Sequence, residues 1–121
     1  MALARRFEEL EIWQAARDFA VTIYRISGPG SAAERDHTFV SQIRSAAVSI
    51  SNNIAEGFEC DSAKEFQRFL TIARRSSGEV RSMLWLAPEV GYLDPSTAEG
   101  LRQQAEVLSR RIAAFSRSLD P

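Results

Sequence analysis

Apolar residues recur at alternating steps of three and four through most of the chain, the spacing of a helix face rather than of a strand. Towards the C-terminus Ala98, Leu101, Ala105, Leu108, Ile112, Phe115 and Leu119 keep that step without a break, a seam suited to near-parallel helix packing. Leu10, Trp13, Ala16, Ala20 and Ile23 give a first helix its stripe, and Phe39, Ile43, Ala47, Ile50 and Ile54 give a second. In a third, Phe66, Phe69, Leu70, Ala73, Val80, Leu84 and Ala87 fall on one arc, with Ser76 and Ser77 between them. The pattern predicts helices near 8–27, 32–57, 62–91 and 95–119 joined by short loops. That is an all-α, antiparallel up-down-up-down four-helix bundle, with 1–121 as a single domain.

Helix starts carry a repeated signal. Ser31–Glu34, Ser62–Glu65 and Ser96–Glu99 each match the capping box, in which a serine hydroxyl takes a backbone N–H and the glutamate reaches back. Gly28-Pro29-Gly30 stops the first helix, Gly57 can turn left-handed just past the second, and Gly91 with Asp94-Pro95 marks the last connection. Gly78 inside the third helix costs about 1 kcal/mol relative to alanine, which suggests close approach of another backbone. Pro88 should kink or end that helix near Ala87.

Composition changes this picture little. With 121 residues, 45% hydrophobic and 26% charged, the chain suits one soluble globular domain, and a net charge of −1 creates no global field for nucleic acid or membrane. The stretch MALARRFEELEIW meets acidic residues before any apolar run of signal-peptide length, and no segment approaches the ~20 apolar residues needed to span a bilayer. A cytoplasmic location with no membrane partner is the expectation. Fourteen arginines against one lysine, Lys64, fit either phosphate recognition or simple genomic base composition.

The second helix holds the least ordinary stretch, SISNNIAEGFE. Gln42, Ser45, Ser49, Asn53 and Glu56 form a polar ridge roughly 120° from the core stripe, and Val48 and Ala55 are apolar beyond it. Either water covers this ridge or a neighbouring helix or second copy does. If covered, each unpaired group would cost roughly 1–3 kcal/mol, so partners should exist. Flanking apolar surface favours a covered seam that fixes register and partner.

These residues also carry a resemblance. SQIRSAAVSISNNIAEGF resembles the signature of the four-helix-bundle family associated with intervening sequences in 23S ribosomal RNA genes, through Gln42, Arg44, Ala46, Ser49, Ile50, Asn53, Ile54, Ala55, Glu56 and Gly57. FEELEIWQAA, EFQRFLTIA, Glu79 and Gly91-Tyr92-Leu93 extend it over nearly the whole chain. The resemblance implies a left-handed bundle assembling as a homopentameric ring. It also implies likeness to the accessory variability proteins of diversity-generating retroelements, which bind nucleic acid and a reverse transcriptase. Departures from the family pattern are Ser45 for a second arginine, Ser51 for a proline, Arg74-Arg75 for Leu-Gly, and Pro88.

Enzyme chemistry finds little support. His37 is the only histidine and Cys60 the only cysteine, too few for a di-metal carboxylate bundle or a Cys/His zinc site, and no glycine-rich phosphate loop is present. No cofactor is expected. The expectation is a non-enzymatic, homo-oligomeric accessory protein that associates with RNA or DNA through Arg44, Arg74, Arg75 and Arg81. Gln42, Ser49, Asn53, Glu56 and Gly57 would be its structural seam. The alternative is a protein-protein interaction scaffold that binds no nucleic acid.

Overall fold

A computed structural model describes residues 4–121; Met1, Ala2 and Leu3 of the stretch read against a signal peptide lie outside them. A single 3-10 turn at Phe7–Glu9 leads into α1 (Glu11–Ile26), followed by α2 (His37–Phe58), α3 (Ala63–Glu89) and α4 (Pro95–Ser118). No strand occurs among the described residues. α1 packs on α2, α2 on α3 and α3 on α4, and a lighter α1–α4 contact closes the circuit; no Cα of α1 comes within 8 Å of one in α3. The apolar stripes meet inside it. Ile23, Ile43, Ile50, Ile54, Leu70, Leu84 and Ile112 are fully buried, as the three-four spacing predicts.

Several boundaries differ from those the sequence predicts. α1 begins at Glu11 because 7–9 form the 3-10 turn. α2 begins at His37, not near 32. Asp36 is its cap, accepting the Phe39 N–H at 3.0 Å, while Ser31 Oγ is buried without a partner. Between them 31–36 make successive turns under buried Ala33, with Gly30 at φ +85°. α4 is capped by Asp94 through the Thr97 N–H, with Pro95 as first helical residue, so Ser96 is no cap. Ser62 does cap α3, accepting the Glu65 N–H at 3.2 Å.

Gly57 is the clearest correction. It is helical and buried inside α2 rather than left-handed beyond it. A Cβ there would stand 2.7 Å from Phe66 Cδ1 and 2.8 Å from Phe69 Cβ, so the missing side chain lets α3 close onto α2. Gly78, by contrast, has nothing within 4 Å of where its Cβ would be, so no backbone approaches it within the described chain.

α3 runs through Pro88 and ends at Glu89, two residues past Ala87. Lacking an N–H, Pro88 leaves the Leu84 carbonyl without its helical donor. Arg102 of α4 supplies one, its Nη1 donating to Leu84 O at 3.2 Å. The helix runs on to Glu89 and ends in a Schellman turn, with Tyr92 N–H on Ala87 O at 2.8 Å, Gly91 N–H on Pro88 O at 3.2 Å, and Gly91 at φ +81°.

Candidate interaction surfaces

On the α2 ridge, Ser49 and Asn53 are half-buried, and Ser49 meets α3. The Asn53 amide donates to Ser49 O at 2.8 Å and to Ser49 Oγ at 2.9 Å, and Ser49 Oγ shares a hydrogen bond with Ser76 Oγ of α3 at 2.8 Å. The chain therefore supplies partners for the middle of the ridge. Gln42, Ser45 and Glu56 stay exposed. Sequence marks Ser76 only as a small residue inside an apolar arc, and the pairing with Ser49 across 27 positions is a tertiary fact.

The four candidate arginines occupy different settings. Arg74 and Arg75 on α3 are exposed, and among the described residues neither meets a carboxylate at ion-pair distance; the Arg75–Glu79 pair suggested by spacing is not formed. Arg81 lies 3.9 Å from Glu106, which also meets Arg110 at 3.7 Å, and pairs this long and exposed hold their partners weakly. Arg44 is half-buried and closes the end of α1. Its Nε donates to Ser27 Oγ and its Nη2 to Tyr24 O, both at 3.0 Å, with the guanidinium 4.3 Å above the Tyr24 ring. A cation on the last carbonyls of a helix also suits the helix dipole.

Around Arg44 an open cleft of about 530 Å³ between α1 and α2 gathers Arg17 and Arg25, which no sequence motif singles out. Near the end of α3 Trp85 is exposed, and the Arg102 guanidinium lies 3.7 Å over its ring. Gln67, which shares the Arg74–Arg81 face, instead donates to Ser116 O at 2.8 Å and to Asp120 Oδ1 at 2.7 Å, tying the start of α3 to the end of α4.

A second tie joins the two loops at the other end. Tyr92 Oη donates to Asp36 Oδ2 at 2.6 Å, and the Tyr92 ring packs edge-on to Phe39 with centroids 5.0 Å apart. The Tyr92 hydroxyl, then the Phe39 N–H, hold the Asp36 carboxyl below its usual range, while the same bond raises Tyr92. A depressed carboxyl stabilises the fold fully above its unfolded value and loses that contribution as pH falls through the folded one. Tyr92→Phe is accordingly expected to melt below the unchanged chain at neutral pH, with the gap narrowing below about pH 4. Thermal melts across pH check this, and a gap that stays constant to pH 3 would contradict it.

Reactive chemistry is sparse. The Cys60 thiol donates to Glu56 O at 3.5 Å, and partial desolvation followed by the Glu65 charge pushes its pKa up, away from thiolate chemistry. His37 is exposed beside the α2 cap. Among the described residues no three His, Cys, Asp or Glu side chains gather as metal ligands, and no helix is long and apolar enough to cross a membrane.

The chain belongs to the 23S rRNA-intervening sequence protein family, whose model matches residues 8–114. A solved structure with the same fold is a protein with unknown function from the S23 ribosomal protein family of Bacteroides thetaiotaomicron VPI-5482. It superposes with a TM-score of 0.75 at 20% identity, covering 87% of this chain and 97% of that one. No curated protein matches the chain.

Proposed function

We propose that this chain is a non-enzymatic accessory protein of the cytoplasm that assembles with copies of itself into a ring and associates with RNA or DNA. The subunit is a single antiparallel up-down-up-down bundle over 1–121. The two ties support that topology, because Tyr92 after α3 reaches the start of α2 and Gln67 at the start of α3 reaches the end of α4. The family resemblance implies five subunits.

The observation that carries the nucleic-acid reading is the adjacent, exposed Arg74 and Arg75, which hold no carboxylate among the described residues. Guanidinium groups left free in this way suit phosphate oxygens, and Arg81 joins them if its long contact to Glu106 yields. One subunit with a net charge of −1 would bind weakly, while a ring repeats the patch and multiplies its effect. Titration with structured RNA or duplex DNA at low salt should show binding whose log affinity falls linearly with log salt. An Arg74→Glu/Arg75→Glu variant should flatten that slope by about 0.9 for each duplex phosphate it no longer neutralises, or about 0.7 for single strands. No binding at low salt, or binding indifferent to salt, would remove this reading.

The second reading is a protein-interaction scaffold, and exposed Trp85 beside Leu86 favours it. A partner retained through nuclease and high salt would mark that outcome.

A further inference from the structure

Six large apolar side chains stay well exposed among the described residues, and five of them form two groups. Val21 and Tyr24, 40% and 43% exposed, face the cleft between α1 and α2; Trp85, Leu86 and Val90, 63%, 50% and 49% exposed, make a ridge at the end of α3 and its cap. Only Val107 stands apart. The cleft is lined by three arginines, Arg17, Arg25 and Arg44, and by no carboxylate, although Arg17 already holds neighbouring Asp18 at 3.0 Å. The ridge carries exposed Glu89 between Leu86 and Val90. Apolar surface and charge are thus complementary between two separate places on one chain, for no Cα of α1 comes within 8 Å of one in α3.

We infer that the α3 ridge of one copy seats in the α1–α2 cleft of the next, Trp85, Leu86 and Val90 covering Val21 and Tyr24 while Glu89 turns towards Arg25. This rests on the self-assembly proposed above and adds which faces meet. Such an interface is heterologous: each copy offers a ridge on one side and a cleft on the other, which generates rings or filaments rather than a two-fold dimer.

Position in the fold bears on that choice. The cleft runs from the middle of α1 to the loop after it, and the ridge lies where α3 ends. The Tyr92–Asp36 bond, just after α3 and just before α2, puts both at the same end of the molecule. Two docking faces at one level add copies sideways, and the rotation between successive copies then sets whether they close as a ring or run on as a filament. Both faces are preorganised. Arg44 is held over the Tyr24 ring by hydrogen bonds to Ser27 Oγ and Tyr24 O, and Arg102 is stacked on Trp85, so little side-chain freedom is given up on docking.

The test uses two surface variants of the full chain, Trp85→Glu on the ridge and Val21→Arg in the cleft, with circular dichroism to show that each keeps its helices. Light scattering should find the unchanged chain as an oligomer and each variant alone as a 13.5 kDa monomer at micromolar concentration. Mixed in equal amounts, the variants should pair through the one intact ridge and one intact cleft, giving two 13.5 kDa chains, about 27 kDa. Variants that keep the unchanged chain's mass would overturn this assignment of faces while leaving self-assembly standing. A mixture that stays monomeric would overturn it as well. Val21→Arg that loses RNA binding but keeps the oligomer would overturn it by giving the cleft to nucleic acid, and an unchanged chain that is itself monomeric overturns both readings together.

Discussion

Gly57→Ala lowers the stability of the fold by about 1–3 kcal/mol in a urea titration, the usual range for overpacking a tight core. The result runs against intrinsic preference, since alanine is the better helix former by about 1 kcal/mol. It follows from what the new methyl meets. Phe66 Cδ1 at 2.7 Å belongs to a ring that could swing only by leaving its edge-on contacts with Phe58 and Phe115. Phe69 Cβ at 2.8 Å is fixed to the α3 backbone, so relief there requires α2 and α3 to separate. The same substitution at Gly78 should have the opposite sign, a gain of up to about 1 kcal/mol, because the new Cβ meets no atom of the described chain. Equal effects at the two glycines would contradict this packing.

Arg102→Ala should cost about 1–3 kcal/mol, the range for stranding a shielded acceptor, and loosen the end of α3 more than the rest. Leu84 O would lose the donor that stands in for the N–H missing at Pro88, and Trp85 would lose the guanidinium 3.7 Å above its ring. Tryptophan emission and amide exchange at 84–92 report the local change, and urea unfolding reports the global one. Arg102→Lys should recover little, because an ammonium cannot lie flat on an indole while donating sideways to a carbonyl. If Pro88→Ala in the Arg102→Ala background restores no stability, the repair of the proline gap is not what Arg102 does.

These two residues also show where sequence stops being informative. The core faces are legible because burial on a helix imposes a three-four period, and Ile43, Ile50, Ile54, Leu84 and Ile112 are all buried as that period requires. Starts are less so, because several side chains could cap. Ser62 caps as its box predicts, while Asp36 and Asp94 outcompete Ser31 and Ser96, the latter helped by Pro95 at the first helical position. Gly57 misleads because a glycine near a helix end serves a left-handed turn or a close approach equally well, and only α3 decides which.

The surfaces are harder still. Ser76 answering Ser49, Arg44 closing α1 and Arg102 serving Leu84 each join residues 17 to 27 positions apart, with no local signature. Asn53, which stands out as a poor helix residue, turns its amide back onto Ser49 within its own helix. Arg74 and Arg75 are visible as a pair, but that Glu79 leaves Arg75 free depends on side-chain placement.

The proposed function depends most on copies of this chain assembling, since assembly is what gathers scattered arginines into a surface with useful affinity. Absolute mass by light scattering at micromolar concentration tests that directly. The expected result is a discrete particle several times the chain mass, about 67 kDa for five chains of 13.5 kDa. A folded, helical monomer of 13.5 kDa across that concentration range would contradict it.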